Sequence, residues 1–240
     1  MENRDRLIVA LDVPSMEQVT QAVERIGDAV GYYKIGMESF YSMGQTVLEE
    51  ISGRNKKVFL DLKLHDIPNT VARSLRALCR FAPAMTTIHA AGGPSMLKAA
   101  VEAAGDGAAH WGKPRPKLLG ITVLTSISEA EWSVLGSGSS VRDSVLRLAV
   151  ICRESGMDGV VASPQEAAAI RAACGKEFLI VTPGIRPMNG EQGDQSRVAT
   201  PSQALKDGAD FLVVGRPIIA AADPRLAAQA IVKEMEGRKK

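Results

Sequence analysis

Short apolar segments of strand type alternate with amphipathic segments of helical spacing from one end of this chain to the other. That alternation restricts the fold more than any other feature. Leu7–Leu11 reads as the first strand, followed by a helix that Pro14 and Ser15 start and that runs through Val19, Ala22, Val23 and Ile26. Tyr32–Ile35, Val58–Leu62, Met85–His89 and Leu118–Leu124 are the next four strands. Helices are predicted after them over 39–51, 67–79, 94–104 and 141–154. Gly159–Ala162, Phe178–Thr182 and Phe211–Val214 complete the strand set, with helices over 164–173 and 224–236. Eight strand–helix units point to a (β/α)8 barrel, read as a single domain over residues 1–240. A doubly wound open sheet is the alternative, because the same alternation builds it. Two stretches read as irregular, 105–116 and 186–200.

Composition narrows the function classes. The net charge of +2 gives no case for nucleic acid or a membrane surface as partner, and the aromatic content of 4% gives no stacking platform for bases. No apolar run approaches membrane-spanning length, and no signal-peptide segment precedes the first strand, so the chain reads as cytoplasmic. Cys79, Cys152 and Cys174 lack metal-ligand spacing and read as small core residues. The basic end at Arg238, Lys239 and Lys240 reads as a solvated tail.

The densest chemistry lies in Asp61-Leu62-Lys63-Leu64-His65-Asp66-Ile67-Pro68-Asn69-Thr70, at the end of the third strand. Side chains alternate between strand faces, so Asp61 and Lys63 point the same way, and Asp66 follows at the loop. Burying charge is costly unless it is paired, so the group is either a structural ion pair or a reactive site. The carboxyl ends of barrel strands open on one face, and there the other polar strand ends join it: Asp12, Lys34, His89, the segment Thr122–Ser126, Arg186 and Arg216. Charged groups at four different strand ends are hard to explain as solvated surface.

Val213-Val214-Gly215-Arg216-Pro217 reads as a phosphate site. A glycine admits close approach of the backbone, a helix start offers N–H groups, and arginine adds a charged fork. Arg186 and the polar segment 189–195 flank it. His65 adjoins Asp66 but is read as turned away from the Lys63 face, in a structural role. His110 reads as a surface residue in an irregular stretch.

These segments together resemble the bacterial orotidine 5′-phosphate decarboxylase family. Ala10-Leu11-Asp12, Lys34-Ile35-Gly36, the 61–70 decapeptide, Val123-Leu124-Thr125-Ser126, Thr182-Pro183-Gly184-Ile185-Arg186 and Val214-Gly215-Arg216-Pro217-Ile218 occur in the family's order over essentially the whole chain. The resemblance implies a (β/α)8 barrel acting as a homodimer, without cofactor or metal, on a nucleotide substrate in UMP synthesis. It implies that Lys63 stabilises and protonates the C6 carbanion, with Asp61 beside the departing carboxylate. Lys34 completes a Lys–Asp–Lys–Asp array, and Asp12 binds ribose hydroxyls. Asp66, Ile67 and Thr70 reach the partner subunit's site, making the active sites shared. Thr125 or Ser126 reads the pyrimidine edge, Pro183 lines the substrate, and Arg186, Gln195, Gly215 and Arg216 close on the phosphate.

Two other functions fit parts of the pattern. Sugar-phosphate decarboxylases and hexulose-phosphate synthases share an Asp-x-Lys-x-x-Asp run but hold Mg²⁺ with a carboxylate at the second strand, where this chain has Lys34. A barrel that binds a phosphorylated ligand without catalysis is the other, and it has no need of buried charges at Asp61, Lys63 and Asp66.

Overall fold

A computed structural model describes residues 2–135, 138–187 and 199–237. Its eight parallel strands close on themselves in chain order, β1 pairing with both β2 and β8. The strands are β1 (Leu7–Leu11), β2 (Tyr32–Gly36), β3 (Lys57–Leu64), β4 (Met85–His89), β5 (Lys117–Ile121), β6 (Gly159–Val161), β7 (Leu179–Thr182) and β8 (Phe211–Val214). This closure excludes the open-sheet alternative.

Around the barrel lie α1 (Met16–Ile26), α2 (Met37–Met43), α3 (Thr46–Gly53), α4 (Pro68–Leu78), α5 (Gly93–Trp111) and α6 (Glu129–Val134). They are followed by α7 (Val141–Glu154), α8 (Ala167–Cys174), α9 (Pro201–Lys206), α10 (Arg216–Ile219) and α11 (Pro224–Met235). Start signals fit their chemistry: Ser15, Ser128, Ser140, Thr200 and Asp223 each accept a backbone N–H of the first turn. Among the described residues no helix is long and apolar enough to cross a membrane.

The period of two along each strand sorts side chains into two layers. Outward residues such as Val9, Leu11, Tyr33, Ile35, Leu118 and Ile180 pack under the helices. Inward residues Ile8, Ala10, Tyr32, Phe59, Met85, Leu119, Val181, Phe211 and Val213 fill the barrel as one cluster. Tyr32 and Phe211 meet edge to face at 5.6 Å in this cluster. The lower barrel is thus a packed core, and each further step of two along a strand leads to the upper rim.

Several predicted boundaries are corrected. The helix predicted over 39–51 is two helices, because the chain turns at Gly44, whose N–H closes on the Phe40 carbonyl. β5 ends at Ile121 rather than Leu124, and β3 runs on to Leu64. The irregular reading of 105–116 fails through Trp111, since α5 continues to that residue and carries His110 on an exposed turn. Gly105 and Gly107, both weak helix formers, lie within α5. A Cβ at Gly107 would lie 2.9 Å from Arg76 Cα and 3.0 Å from Cys79 Sγ, so this glycine lets α5 lie close against α4. Tertiary packing therefore overrides a weak helix former. Helices α6 and α9 lie outside the predicted set.

All three cysteines are buried free thiols, and burial pushes Cys152 up to about 12.

Candidate active site

Continuing the inward rows past the barrel core brings the charged residues to one place. Ala10 leads to Asp12, Tyr32 to Lys34, Phe59 to Asp61 and then Lys63, Met85 to Thr87, and Val213 to Gly215. They open into a cavity of about 400 Å³ at the carboxyl ends of the strands. Asp12, Lys34, Asp61, Lys63, Thr125, Ser126, Pro183, Arg186, Gly215 and Arg216 all line it, as the sequence predicts. Phe59, Ile121, Val123, Leu124, Val161 and Val213 supply an apolar wall that sequence reading did not assign. The charged lining residues are four cations and two carboxylates, so the cavity favours an anionic ligand.

The charges alternate in space. Lys63 Nζ donates to Asp61 Oδ2 at 2.9 Å, Lys34 Nζ lies 3.7 Å from the same oxygen, and Lys34 Nζ donates to Asp12 Oδ1 at 2.9 Å. Asp61 is buried, so its two ammonium neighbours offset the cost of desolvating it. Gly36 makes room for the pair beside it: a Cβ there would sit 2.9 Å from Asp12 Oδ1 and 3.0 Å from Lys34 Nζ. Gly215 is different, since a Cβ there would make only ordinary contact with Ala10. Its use is the open space it leaves on the cavity side.

Two hydroxyls support the array from below. Thr87 donates to Asp61 Oδ1 and accepts the Lys63 backbone N–H, each at 2.9 Å. Ser39 on α2 is fully buried, accepts the Val13 N–H at 3.2 Å, and lies 2.7 Å from the Leu11 carbonyl. Ser39 thereby ties down the backbone on both sides of Asp12. Its neutral type gave no sequence signal. Thr87 had one: it sits two residues from Met85 on the inward row.

His65 is exposed and is not among the residues that line the cavity. Pairing of β3 with β4 shifts between Leu60 and Leu64, and Lys63 adopts φ 51, so strict alternation ends there. The His65 ring stands 5.1 Å from His89. Burial pushes the His89 imidazole below its ordinary value, and the neighbouring His65 and Lys63 add to this against Asp61.

Asp66, Ile67 and Thr70 are exposed and lie outside their own chain's cavity. The Asp66 carboxylate receives the Ile67 N–H at 2.7 Å. The predicted phosphate helix is a single turn, α10, beginning at Arg216. The Arg186 backbone N–H donates to the Ala199 carbonyl at 3.0 Å. Gln195 and the polar segment 189–195 lie outside the described residues.

A closed (β/α)8 barrel with a cation-rich cavity at the carboxyl ends of its strands has the form of a barrel enzyme whose site suits an anionic ligand. The profile of the Orotidine 5'-phosphate decarboxylase / HUMPS family matches residues 5–231. An orotidine 5'-phosphate decarboxylase of Moorella thermoacetica is 48% identical over 237 residues, covering 98% of this chain and 94% of the relative. One of Carboxydothermus hydrogenoformans is 49% identical over 233 residues, covering 97% of each chain. The crystal structure of the orotidine 5'-phosphate decarboxylase of Lactobacillus acidophilus superposes with a TM-score of 0.85 at 40% identity, over 97% of this chain and all of that one. The chain belongs to the orotidine 5'-phosphate decarboxylase / HUMPS family and is a carboxy-lyase.

Proposed function

We propose that this chain decarboxylates orotidine 5′-phosphate to UMP in pyrimidine biosynthesis, without a cofactor or metal. The observation that carries the reading is the Lys63 ammonium, fixed in an anion-favouring cavity by the buried Asp61 carboxylate. The C6–carboxylate bond breaks with its electron pair left on C6, and CO2 departs. Lys63 sits beside the charge that develops, which lowers the barrier because that charge exists only on the way to the carbanion. Lys63 then gives its proton to C6 and recovers one from solvent.

Asp61 faces the departing carboxylate and holds Lys63, while Lys34 and Asp12 extend the array, Asp12 toward the ribose hydroxyls. Thr125 or Ser126 reads the pyrimidine edge, beside Pro183. Arg186, Gln195, Gly215 and Arg216 take the phosphate, whose remote binding energy orients the ring. Asp66, Ile67 and Thr70 are exposed in the single chain. In the reading proposed here they complete the site of the partner subunit in a homodimer working in the cytoplasm.

Lys34 separates this reading from the Mg²⁺-dependent branch of the family. An ammonium stands where a divalent cation needs a carboxylate oxygen, and like charges repel. The test follows the absorbance of orotidine 5′-phosphate after adding the protein, with and without EDTA. Loss of absorbance in both arms is expected. An inert protein overturns the reading, and a strict Mg²⁺ requirement moves the chain to the sugar-phosphate branch.

A further inference from the structure

We propose that Thr87 is a positioning residue for the reaction, its one hydroxyl fixing both the backbone of Lys63 and the carboxylate that holds the Lys63 ammonium. This rests on the decarboxylase reading given above. Thr87 is fully buried on the inward row of β4. Its Oγ accepts the Lys63 N–H at 2.9 Å and donates to Asp61 Oδ1 at 2.9 Å. No other polarity is open to it, because an amide only donates and an ionised carboxylate only accepts. Asp61 Oδ2, the other oxygen, takes the Lys63 ammonium at 2.9 Å. A closed ring results: Lys63 backbone, Thr87, Asp61, Lys63 side chain.

The local backbone explains why such a clamp is needed. Leu60 pairs with Thr86 and Leu64 with Ile88, so four steps on β3 face two on β4. Within this shifted stretch Lys63 adopts φ 51, a left-handed conformation that a residue with a Cβ enters only under constraint. The Thr87 hydroxyl receives the Lys63 amide in this stretch. The second bond sets the plane of the Asp61 carboxylate, whose terminal torsion is otherwise soft. Without that hydroxyl, the ammonium loses the fixed direction from which it meets C6.

The decisive comparison is Thr87→Val, which keeps shape and removes the hydroxyl, against Thr87→Ser, which keeps the hydroxyl. Misplacement of a reacting group by about 1 Å costs on the order of 100-fold in rate. Thr87→Val should therefore lose roughly that factor in kcat with orotidine 5′-phosphate, while KM stays within about threefold, since groups holding the phosphate are untouched. Thr87→Ser should retain most of the wild-type kcat. Equal kcat in the Val variant and wild type, or equal losses in Val and Ser, overturns the proposal. So does a Val variant that melts below the assay temperature while Ser is unaffected, because the hydroxyl then supports the fold and not the lysine. A wild-type chain with no decarboxylase activity removes the underlying reading and this proposal together; an active wild type with an unaffected Val variant removes this proposal alone.

Discussion

The Lys63 ammonium lies 2.9 Å from Asp61 Oδ2 although Lys63 itself stands at φ 51, where the strand no longer alternates. A regular strand would set the two side chains parallel through periodicity alone. Here the pair is held by its neighbours: Thr87 from β4 and, 3.7 Å from the shared oxygen, Lys34 from β2. The ion pair is thus a product of three strands.

Lys63→Ala should lower kcat by about four orders of magnitude or more, since it removes a charge stabiliser and a proton donor at once. The far-ultraviolet circular dichroism should be retained, because Lys63 lies at the rim above the barrel core. Substantial residual turnover would remove Lys63 from the chemistry.

Arg216→Ala should act through the phosphate. Loss of a charge-assisted hydrogen bond corresponds to roughly ten- to a hundred-fold in kcat/KM with the full nucleotide. A nucleoside lacking the phosphate should show a much smaller change. Equal losses with both substrates would mean that Arg216 serves some other end.

Asp66 provides the test of a shared site. Homodimers of Asp66→Ala and of Lys63→Ala should each be nearly inactive. In a mixed dimer the two lesions fall in one site and leave the other intact. After random exchange of equal amounts, roughly half the dimers are mixed, so activity should return to about a quarter of wild type in a closed two-fold dimer. No recovery, with exchange verified by labelled subunits, would assign Asp66 to its own chain's cavity.

His89 sets a pH dependence of stability. Burial lowers its ionisation below the ordinary value of 6.5, so between the two values the unfolded chain binds more protons than the folded one. This contribution is fully present above the ordinary value and is lost as pH falls through the folded value. The melting temperature of wild type should drop more steeply on acidification from neutral pH than that of His89→Gln. Parallel profiles would show that His89 titrates without linkage to folding.

Sequence alone was enough for the barrel and for most of the lining. Eight apolar segments with helical spacers report burial directly, because a strand covered on both faces must be apolar. Asp12, Lys34, Asp61 and Lys63 were legible because charge at the end of such a strand is costly unless used. Other features depend on contacts between segments far apart in the chain. Gly105 and Gly107 look like helix breakers until α4 is seen pressed against Gly107. The left-handed turn of Lys63 stays hidden until the register of β3 against β4 is known. Thr87 and Ser39 are neutral hydroxyls of common type, and only their partners, Asp61 and Lys63 for one and the backbone around Asp12 for the other, give them meaning. Local spacing encodes which face a residue takes, whereas a hydrogen bond between strands depends on register, which only the closed barrel sets.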